Sequence, residues 1–387
     1  MNRFPQLQQA LAPVLAWTKE TALPFWGTVG VDEARGGFHE RLDLEGQPVL
    51  NVPKRVMVQG RQLYVYSSAA ILGWYPDGRK LADRCVEYIL HAYYQADGGP
   101  GWVHAVGPDG TVANPMRDGY GHAFVLLGLA WYHRLTRDPQ ILAIVDRTLA
   151  FLDEGLASDK GGYLDAVPAP DAVRRQNPHM HLFEAFLALY EASGRVQYLE
   201  RAAAIFQLFA TKFFQPESGT LCEYFTEELR PLPDKRGRIV EPGHHFEWIC
   251  LLRQFQRLSG REVETYTAAL YEFANRHGWD NDGFIVDELD TSGSVITSSR
   301  RSWPHTEGVK ANVLEGEFGR GGCDERGAQC LARLQEAFLA RPIPGGWVDR
   351  ISAEGAAIAE FIPASTFYHV FGAVTEAVRA TSQPAAA

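Results

Sequence analysis

Apolar residues recur at helical spacing along almost the whole chain, in segments that come in pairs joined by loops of a few residues. Two clear pairs cover residues 120–135 with 139–152, and residues 180–193 with 197–213. The pattern as a whole predicts about twelve helices, beginning near residues 5, 60, 78, 119, 138, 178, 196, 243, 261, 304, 324 and 363. The chain is therefore predicted to be all-α.

A glycine, in most cases followed by an aromatic residue, recurs between these pairs, at Gly37, Gly101, Gly162, Gly219, Gly283 and Gly346. The steps between these glycines are 64, 61, 57, 64 and 63 residues, which indicates a sixfold internal repeat. Turn signals such as Pro108-Asp109-Gly110 and Thr291-Ser292-Gly293 follow several of them. Each recurrence is therefore predicted to be a short β-hairpin.

Prolines mark the predicted first turns of four helices, where a missing N–H costs nothing, at Pro178, Pro242, Pro304 and Pro363. A single helix pair cannot bury its apolar faces, but six pairs can if they close into a ring with one helix of each pair inside. The predicted fold is an (α/α)6 barrel that forms one domain over residues 1–387. All inner helices then run in the same direction, so their N-termini and the hairpins share one mouth, where the functional site is expected.

The composition is ordinary for a globular enzyme, with 46% hydrophobic residues, 22% charged residues and a net charge of −10. Lysine and arginine are scattered, so no basic patch offers nucleic acid an electrostatic footprint. No apolar stretch is long enough to span a membrane, and the N-terminus lacks the features of a signal peptide. The five cysteines form no CxxC pair, which argues against a disulfide framework or zinc ribbon and favours a reducing cytoplasm.

Histidines and other polar residues concentrate at the starts of the predicted inner helices. Seven of the twelve histidines lie in these windows, which contain Arg55, Gln59, Arg61, Tyr64, Arg117, Asp118, Tyr120, His122, His179, His181, Glu184, His244, His245, Glu247, Trp303, His305, Glu307, Tyr368 and His369. Two histidine–glutamate pairs at i,i+3 spacing share a helical face, namely His181 with Glu184 and His244 with Glu247. Such a glutamate can orient the imidazole and keep it basic, as acid–base chemistry near neutral pH requires. The alternative is that each pair satisfies buried polar atoms below the barrel rim.

The histidine pairs His179 with His181 and His244 with His245 contain possible metal ligands. However, residues one or two positions apart on a helix point away from each other. Each such motif offers one ligand to a common centre, so neither a metal nor a cofactor is predicted. Arg55 is interpreted as a donor to an anionic oxygen, or alternatively as a surface arginine before a helix. Trp303, one turn before Glu307, suits the apolar face of a sugar; the alternative is a core tryptophan.

These residues resemble the N-acylglucosamine 2-epimerase family, which includes cellobiose 2-epimerases and the mannose and sulfoquinovose isomerases. The similarity covers nearly the whole chain, and its motifs are Arg55-Val-Met-Val-Gln59-Gly-Arg61, Asn177-Pro-His-Met-His181-Leu-Phe-Glu184-Ala, Pro242-Gly-His244-His-Phe-Glu247-Trp, Trp303-Pro-His-Thr-Glu307 and Tyr368-His369. The fold of the family is an (α/α)6 barrel, as the repeat predicts. Residues 242–248 are more similar to the mannose isomerase branch than to the cellobiose epimerase branch.

The resemblance implies that His244 and His369 are the two acid–base residues and that His181 is a third histidine of the site. It also implies that Arg55 lies near the sugar oxygens and that Glu247 supports His244. Substrate contacts are expected from Tyr120, Gln59, Glu184, Trp303 and Glu307.

The predicted reaction follows from these residue types and from the resemblance. The C1 carbonyl of an open-chain aldose acidifies the C2 proton, which a neutral His369 would remove while His244 opens the ring or protonates oxygen. Arg55 would stabilise the resulting enediolate. Return of the proton to C1 gives a ketose, so the barrel is predicted to be a catalytic domain that interconverts D-mannose, or a related free aldose such as D-lyxose, with its ketose, D-fructose in the case of mannose.

Other activities remain open at this stage. Return of the proton to the opposite face of C2 would make the enzyme a sugar 2-epimerase acting on mannose or glucose, cellobiose or an N-acylglucosamine. A glycoside hydrolase or lyase would use acids such as Asp118 and Glu307 but would not need the histidines. A non-catalytic sugar-binding protein would show affinity without proton exchange. The expected partner is a monosaccharide, with no nucleic acid and no membrane, and the expected assembly is a monomer or homodimer in the cytoplasm.

Overall fold

The computed structural model describes residues 3–382, and this part of the chain is mainly helical. Its α-helices are α1 (Pro5–Trp17), α2 (Leu23–Thr28), α3 (Val56–Ile71), α4 (Gly78–Ala92), α5 (Gly119–Thr136), α6 (Pro139–Phe151), α7 (Asn177–Ser193), α8 (Val196–Leu208), α9 (Pro242–Ser259), α10 (Glu264–His277), α11 (Ser302–Glu317), α12 (Cys323–Ala337) and α13 (Phe367–Ser382). π-helical turns extend α1, α6 and α8, at Thr18–Ala22, Leu152–Leu156 and Phe209–Phe213. Short 3-10 turns lie at Lys235–Arg238 and Ala364–Thr366.

The strands are two or three residues long and lie in the loops between helix pairs. They are β1 (Arg41–Leu42), β2 (Lys54–Arg55), β3 (Ala105–Val106), β4 (Val112–Asn114), β5 (Arg117–Asp118), β6 (Ala166–Val167), β7 (Arg174–Arg175), β8 (Phe214–Gln215), β9 (Thr220–Leu221), β10 (Tyr224–Phe225), β11 (Ile239–Val240), β12 (Glu288–Asp290), β13 (Val295–Thr297), β14 (Arg300–Arg301), β15 (Arg350–Ile351) and β16 (Ile362–Pro363).

All twelve predicted helices are present, and each begins within four residues of its predicted start. The short helix α2 is the one addition, and it continues α1 through a π-helical turn as one bent outer helix. Pro178, Pro242 and Pro304 lie in first turns, as predicted. The prediction for Pro363 is wrong: this residue ends β16, because its backbone is held extended by pairing with Arg41, and α13 begins at Phe367.

Six helices, α3, α5, α7, α9, α11 and α13, form an inner ring in which each contacts the next and α13 contacts α3. The other helices pack around them, and one contiguous apolar core runs from α1 to α13. Because inner helices are covered by neighbours on both sides and by an outer helix behind, their sequences are apolar on most faces. The fold is the predicted (α/α)6 barrel.

Each of the six glycine-containing segments forms a short hairpin, as predicted. Antiparallel bridges close these hairpins at Val31–Phe38, Tyr94–Trp102, Ala157–Tyr163, Phe214–Leu221, Trp279–Ile285 and Leu339–Trp347. Five of the six recurring glycines have positive φ, the exception being Gly346. At Gly162 a Cβ would also lie 2.5 Å from Nε2 of His179, so both the backbone and the packing require glycine there.

A second set of strand pairs runs around the mouth. Five of the six inner helices are preceded directly by a strand, and α13 follows β16 after one 3-10 turn. Each of these strands pairs with a strand of the next repeat, in the pairs β2–β3, β5–β6, β7–β10, β11–β12, β14–β15 and β16–β1. The last pair, between β16 and β1, closes the circle. The N-termini of the inner helices are therefore held together at one end of the barrel, where the sequence predicted the site.

Four histidines and one glutamine fasten inner helices to the hairpins; these five are called the anchor residues, Gln59, His122, His179, His245 and His305. In each histidine Nε2 accepts a hairpin N–H, from Trp102, Tyr163, Leu221 and Ile285, at 2.9–3.2 Å. Gln59 does the same through Oε1, which accepts the N–H of Phe38 at 2.8 Å. Burial lowers the pKa of His179 to about 3 and that of His122 to about 4, so both rings are neutral and can accept. These histidines are structural.

Within residues 3–382 no helix is both long and apolar enough to cross a lipid bilayer. All five cysteines are buried and unpaired. Burial raises the pKa of the Cys222 thiol to about 12, which leaves it protonated and unreactive near neutral pH.

Candidate active site

The residue two positions after each anchor residue faces the barrel axis, and the equivalent position on α13 is occupied by His369. These six residues, called the axial ring, are Arg61, Phe124, His181, Glu247, Glu307 and His369. The Arg61 guanidinium lies 4.1 Å from the centroid of the Phe124 ring, and that ring lies 4.5 Å from His181. On the other side, carboxylate oxygens of Glu247 and Glu307 and a ring nitrogen of His369 lie within 4.8 Å of one another. The sixfold repeat thus places six side chains from distant parts of the sequence around one axis.

A cavity of about 220 Å³ opens at the mouth beside the axial ring. It is lined by Arg61, Tyr120, Asn177, His181, Glu241, His244, Glu247, Arg301, Trp303, Asp349, Ser365, Thr366 and His369. The volume is below the roughly 300–1,000 Å³ typical of pockets for drug-sized ligands. Most of these side chains are polar, so the cavity suits a small molecule with many hydroxyl groups.

His369 is held as a neutral imidazole that faces the cavity. Its Nδ1 lies 2.9 Å from Oε1 of Glu307, so Nδ1 carries the proton and Nε2 is left with its lone pair. Burial, together with the positive charges of Arg61 and Lys310, lowers the pKa of His369 well below that of free histidine. A neutral imidazole with a free lone pair beside a cavity has the form of a general base.

His244 has the opposite charge state. Burial alone would lower its pKa, but the carboxylates of Glu223 and Glu241 raise the pKa of His244 to about 9. Nδ1 lies 3.0 Å from Glu223 Oε2 as a charge contact rather than an aligned hydrogen bond. The amide of Asn177 lies 3.4 Å from Nε2 and its oxygen is otherwise unpartnered, so a turned amide would accept the proton of a charged ring. His244 is therefore an imidazolium near neutral pH, the form of a general acid.

The first predicted histidine–glutamate pair is present and the second is not. His181 Nδ1 lies 3.1 Å from Glu184 Oε2, and burial lowers the pKa of His181 to about 4 despite this contact. Glu184 also accepts the hydroxyl proton of Tyr368, so it lies behind His181 and outside the cavity lining. No hydrogen bond joins His244 to Glu247, because His244 leans toward the loop carboxylates while Glu247 turns to the axis.

Glu247 lines the cavity, and neither of its carboxyl oxygens has a hydrogen-bond partner among the described residues. Burial and the nearby carboxylate of Glu307 raise the pKa of Glu247 well above that of an ordinary glutamate. A buried polar group without a partner costs about 1–3 kcal/mol of stability. A ligand group that reached either oxygen would therefore meet no competing hydrogen bond from the described residues.

Two aromatic residues predicted as substrate contacts line the cavity. The Trp303 indole lies 5.0 Å from the ring of His244 and 5.6 Å from that of His369, measured between centroids, so it forms a surface between the two histidines. Tyr120 accepts a hydrogen bond from Arg61 at 2.8 Å through its hydroxyl oxygen. The predicted contact Glu307 lies behind His369 and does not line the cavity.

The structure corrects the predicted positions of Arg55 and Gln59. Arg55 lies outside the cavity lining, with 44% of its side chain exposed and its guanidinium paired with Glu40. It still lies near the mouth, because its charge acts on the cavity residue Tyr120. Gln59 is an anchor residue and is fully buried. The arginine that lines the cavity is Arg61, which has the axial position and no carboxylate partner among the described residues.

Several cavity residues were missed because they lie outside the first turns of the inner helices or had no distinctive spacing. Glu223 and Glu241, which charge His244, lie in the loop before α9. Asp349 lies in the loop before α13 and accepts the hydroxyl proton of Thr366 at 2.6 Å. Arg61 was named among the first-turn residues, but only its position two residues after the anchor residue Gln59 would have assigned it to the cavity.

Three groups of described residues have the donor atoms and distances for a metal ion: His181 with Glu184 and Glu247, His244 with Glu223 and Glu241, and His369 with Glu247 and Glu307. Cations of the protein already act on two of these groups. His244 carries a proton beside its two carboxylates, and the Lys310 ammonium lies 2.5 Å from Glu307. Glu247, which belongs to the other group and to that of His369, has no hydrogen-bond partner for either carboxyl oxygen among the described residues.

The acid pair expected of a hydrolase is not assembled. Asp118 caps α5 by accepting the N–H of Gly121 and also contacts His104, and it does not line the cavity. Glu307 is engaged by His369 and Lys310. Neither carboxyl group lines the cavity.

Comparison with known proteins agrees with this geometry. The model of the N-acylglucosamine 2-epimerase (GlcNAc 2-epimerase) family matches residues 36–373. A mannose-6-phosphate isomerase of Rhizobium meliloti is 34% identical over 370 residues, which cover 93% of this chain and 94% of that protein. A D-mannose isomerase of Thermobifida fusca is 28% identical over 295 residues, or 71% of this chain and 72% of that protein. Among solved structures, a cellobiose 2-epimerase from Spirochaeta thermophila has the same fold, with a TM-score of 0.87, 23% identity and 98% of both chains covered.

Proposed function

The chain belongs to the N-acylglucosamine 2-epimerase family and is an isomerase or epimerase, and from this premise we propose that it interconverts D-mannose, or a related free aldose such as D-lyxose, with its ketose, D-fructose in the case of mannose. The observation that carries the proposal is the opposite charge state of the two histidines at one small cavity. Environments that push the pKa values of two groups apart assign one as acid and the other as base. We propose that the barrel is the whole catalytic domain and needs no metal ion.

The reaction is balanced within the site. Nε2 of His369 takes the C2 proton of the open-chain aldose, the C2–H electron pair forms the C1–C2 double bond, and the carbonyl oxygen at C1 takes a proton from His244. His244 then takes the O2 proton as the C2 carbonyl forms, and His369 returns its proton to C1. Arg61 stabilises the negative charge that develops on the oxygens at C1 and C2 during these proton transfers, the role predicted for Arg55.

The charges that line the cavity favour a free sugar over a phosphorylated one. Arg301 is paired with Glu241 at 2.7 Å and with Asp287 at 2.9 Å, so its charge is already neutralised. The other cations of the lining, Arg61 and the His244 imidazolium, are assigned to the oxygens at C1 and C2, so no lining cation is left over for a phosphate. The Rhizobium meliloti relative is a mannose-6-phosphate isomerase, which makes the phosphorylated sugar the second candidate substrate.

The test compares D-mannose, D-lyxose, D-mannose 6-phosphate and cellobiose at equal concentration, with EDTA present, and identifies products by ¹³C NMR. The proposal predicts fructose from mannose, at a kcat/KM at least about tenfold above that of the phosphate ester. The His369→Gln variant, prepared in the same way, serves as the control for a contaminating host isomerase. A preference for the phosphate ester, formation of a 2-epimer alone, or activity that returns only after a divalent ion is added would each reject the proposal in this form.

The pH dependence of the reaction follows from the two histidines. Lowering the pH protonates the base His369, whose pKa lies well below the ordinary value, so kcat/KM is retained through neutrality and lost only in acid. Raising the pH through about 9 removes the proton of His244 and lowers kcat/KM on the alkaline side. A kcat/KM profile of the wild type and His244→Gln checks this assignment. The alkaline decline is expected to be absent in the variant, and its survival there would show that another group titrates.

Replacement of Glu247 by leucine is expected to separate stability from activity. The leucine removes a buried carboxyl group without partners, so the free energy of unfolding should be unchanged or higher by about 1 kcal/mol. Loss of two oxygens that contact the sugar hydroxyls should lower kcat/KM by about 100-fold. Urea unfolding and steady-state kinetics measure the two effects, and a variant that is both less stable and fully active would contradict this role of Glu247.

A further inference from the structure

A second layer of inward-facing residues lies below the axial ring. These positions come three residues after the axial ring on each inner helix and are occupied by Tyr64, Leu127, Glu184, Cys250, Lys310 and Gly372. Lys310 is the single cation among the six. Only 15% of its side chain is exposed, and it does not line the sugar cavity. A lysine in the interior of a barrel is costly unless its charge has a use there.

The ammonium of Lys310 faces acidic groups from four inner helices. Its Nζ lies 2.5 Å from Oε2 of Glu307 on its own helix. The remaining groups that face it are Glu247 and Cys250 on α9, Glu184 on α7, and the Tyr368 ring, 6.0 Å away on α13. Burial alone would lower the pKa of Lys310, but these carboxyl groups raise it above the ordinary value, so the side chain stays charged.

Glu307 contacts two partners through its two oxygens. Oε2 meets the Lys310 ammonium, and Oε1 accepts the Nδ1 proton of His369 at 2.9 Å. Glu307 is fully buried, so without the lysine its negative charge would have no cationic partner among the described residues. Its neighbour Glu247 forms no close ion pair with a lysine or arginine among the described residues, and burial and the Glu307 carboxylate raise its pKa although Lys310 acts on it from farther away.

We propose that Lys310 is a positioning residue that holds Oε2 of Glu307 in an ion pair, so that Oε1 accepts the Nδ1 proton of His369 and directs the Nε2 lone pair into the cavity. The catalytic part of this inference rests on the proposed function; the structural part does not. If the ammonium is removed, Glu307 takes up a proton and can donate it to Nδ1. The proton of His369 then moves to Nε2, and the ring presents an N–H to the sugar instead of a base.

The charges that face His369 limit the alternatives. Arg61 approaches from α3, His181 with Glu184 from α7, Glu247 from α9, and Lys310 and Glu307 from α11. If Glu307 stays ionised when the lysine is replaced, His369 loses a repelling cation and gains a proton more easily. In either case Nε2 becomes protonated at a higher pH than in the wild type.

The first test reads the ring directly, without substrate. The full-length protein with ¹⁵N-labelled histidine is examined by NMR near neutral pH, and the His369 signals are assigned by their loss in His369→Gln. Lys310→Met should show a protonated Nε2, whereas the wild type, Lys310→Arg and the surface control Lys212→Met should show a proton on Nδ1 only. An unprotonated Nε2 in Lys310→Met overturns the proposal.

The second test uses turnover. Lys310→Met should lower kcat/KM about 100-fold and move the acid limb of its pH profile to higher pH, while Lys310→Arg stays within about threefold of the wild type. If Lys310 acts through Glu307, adding Lys310→Met to a Glu307→Gln background should cause no further loss of kcat/KM. The double variant contains no unpaired buried charge at these two positions, so the comparison can still be made if Lys310→Met alone unfolds. If the fold-loss of kcat/KM in the double variant equals the product of the losses in the two single variants, the proposal is overturned. If the ring responds as expected but mannose is not converted, the inference on Lys310 stands and the proposed function fails.

Discussion

Replacing His369 by glutamine is expected to lower kcat/KM for mannose by about 10³-fold or more, with little change in stability. General-base catalysis by a positioned side chain contributes about 10²–10⁴-fold, and the amide of glutamine cannot take a proton from carbon at neutral pH. Glutamine can still donate to Oε1 of Glu307, so the buried contact behind the ring survives. Steady-state kinetics and thermal unfolding measure the two quantities.

The matched control is His305→Gln. His305 lies one inner helix away and is equally buried, but it accepts the Ile285 N–H as an anchor residue and does not line the cavity. Gln59 makes the same kind of contact in the first repeat, so glutamine is compatible with the anchor position. Activity within about threefold of the wild type is expected, with a stability loss of about 1 kcal/mol. Equal losses of activity in both variants would mean that His369 has no special role in proton transfer.

Replacement of Arg61 by methionine is the second large effect. Arg61 lies in the axial ring against the rings of Phe124 and Tyr368 and donates to the backbone oxygen of Ser365. Methionine keeps much of the apolar packing but removes the charge that stabilises the enediolate. Loss of one preorganised donor to a developing oxyanion costs about 10²–10³-fold in kcat. The loss should appear in kcat more than in KM, because the negative charge is present only as the reaction proceeds.

Arg55→Met is the partner experiment, since the sequence motif contains both arginines. Arg55 is 44% exposed, does not line the cavity and is paired with the largely buried Glu40, so its charge is already engaged by a protein carboxylate. Its replacement should leave kcat within about threefold of the wild type. If Arg55→Met were the more damaging change, the arginine that contacts the reacting oxygens would be misassigned.

The architecture could be predicted from the sequence because the same pattern of helices and glycines recurs in each repeat. Helix-period segments and recurring glycines agree with one another in all six repeats, and first-turn prolines support them in three, so an error in one repeat does not alter the fold. Pro363 shows how a local signal fails: strand pairing with Arg41 overrides the preference of proline for a first turn.

The site was predicted in part. His181, His244, His369, Glu247, Tyr120 and Trp303 line one cavity, although five inner helices contribute them. His179 and His181 lie two positions apart in the same motif, so the sequence does not distinguish their roles. In the folded chain the hairpin lies over His179, which makes His179 the anchor residue and leaves His181 in the axial ring. The charge of His244 depends on Glu223 and Glu241, which reach it from the loop before the helix. The spacing of residues along one helix cannot predict contacts from a loop, so the predicted i,i+3 pairing of His244 with Glu247 was wrong.

The central claim is that one neutral histidine moves a proton between C2 and C1 of a free aldose. Incubation of the wild-type enzyme with D-mannose in D₂O, with EDTA present and followed by ¹H and ²H NMR, tests it directly. The account predicts fructose, with deuterium at C1 in the fraction of turnovers in which His369 exchanges its proton with solvent and with the transferred proton retained at C1 in the rest. Glucose deuterated at C2 without fructose, or mannose that is bound but neither converted nor exchanged, would contradict it.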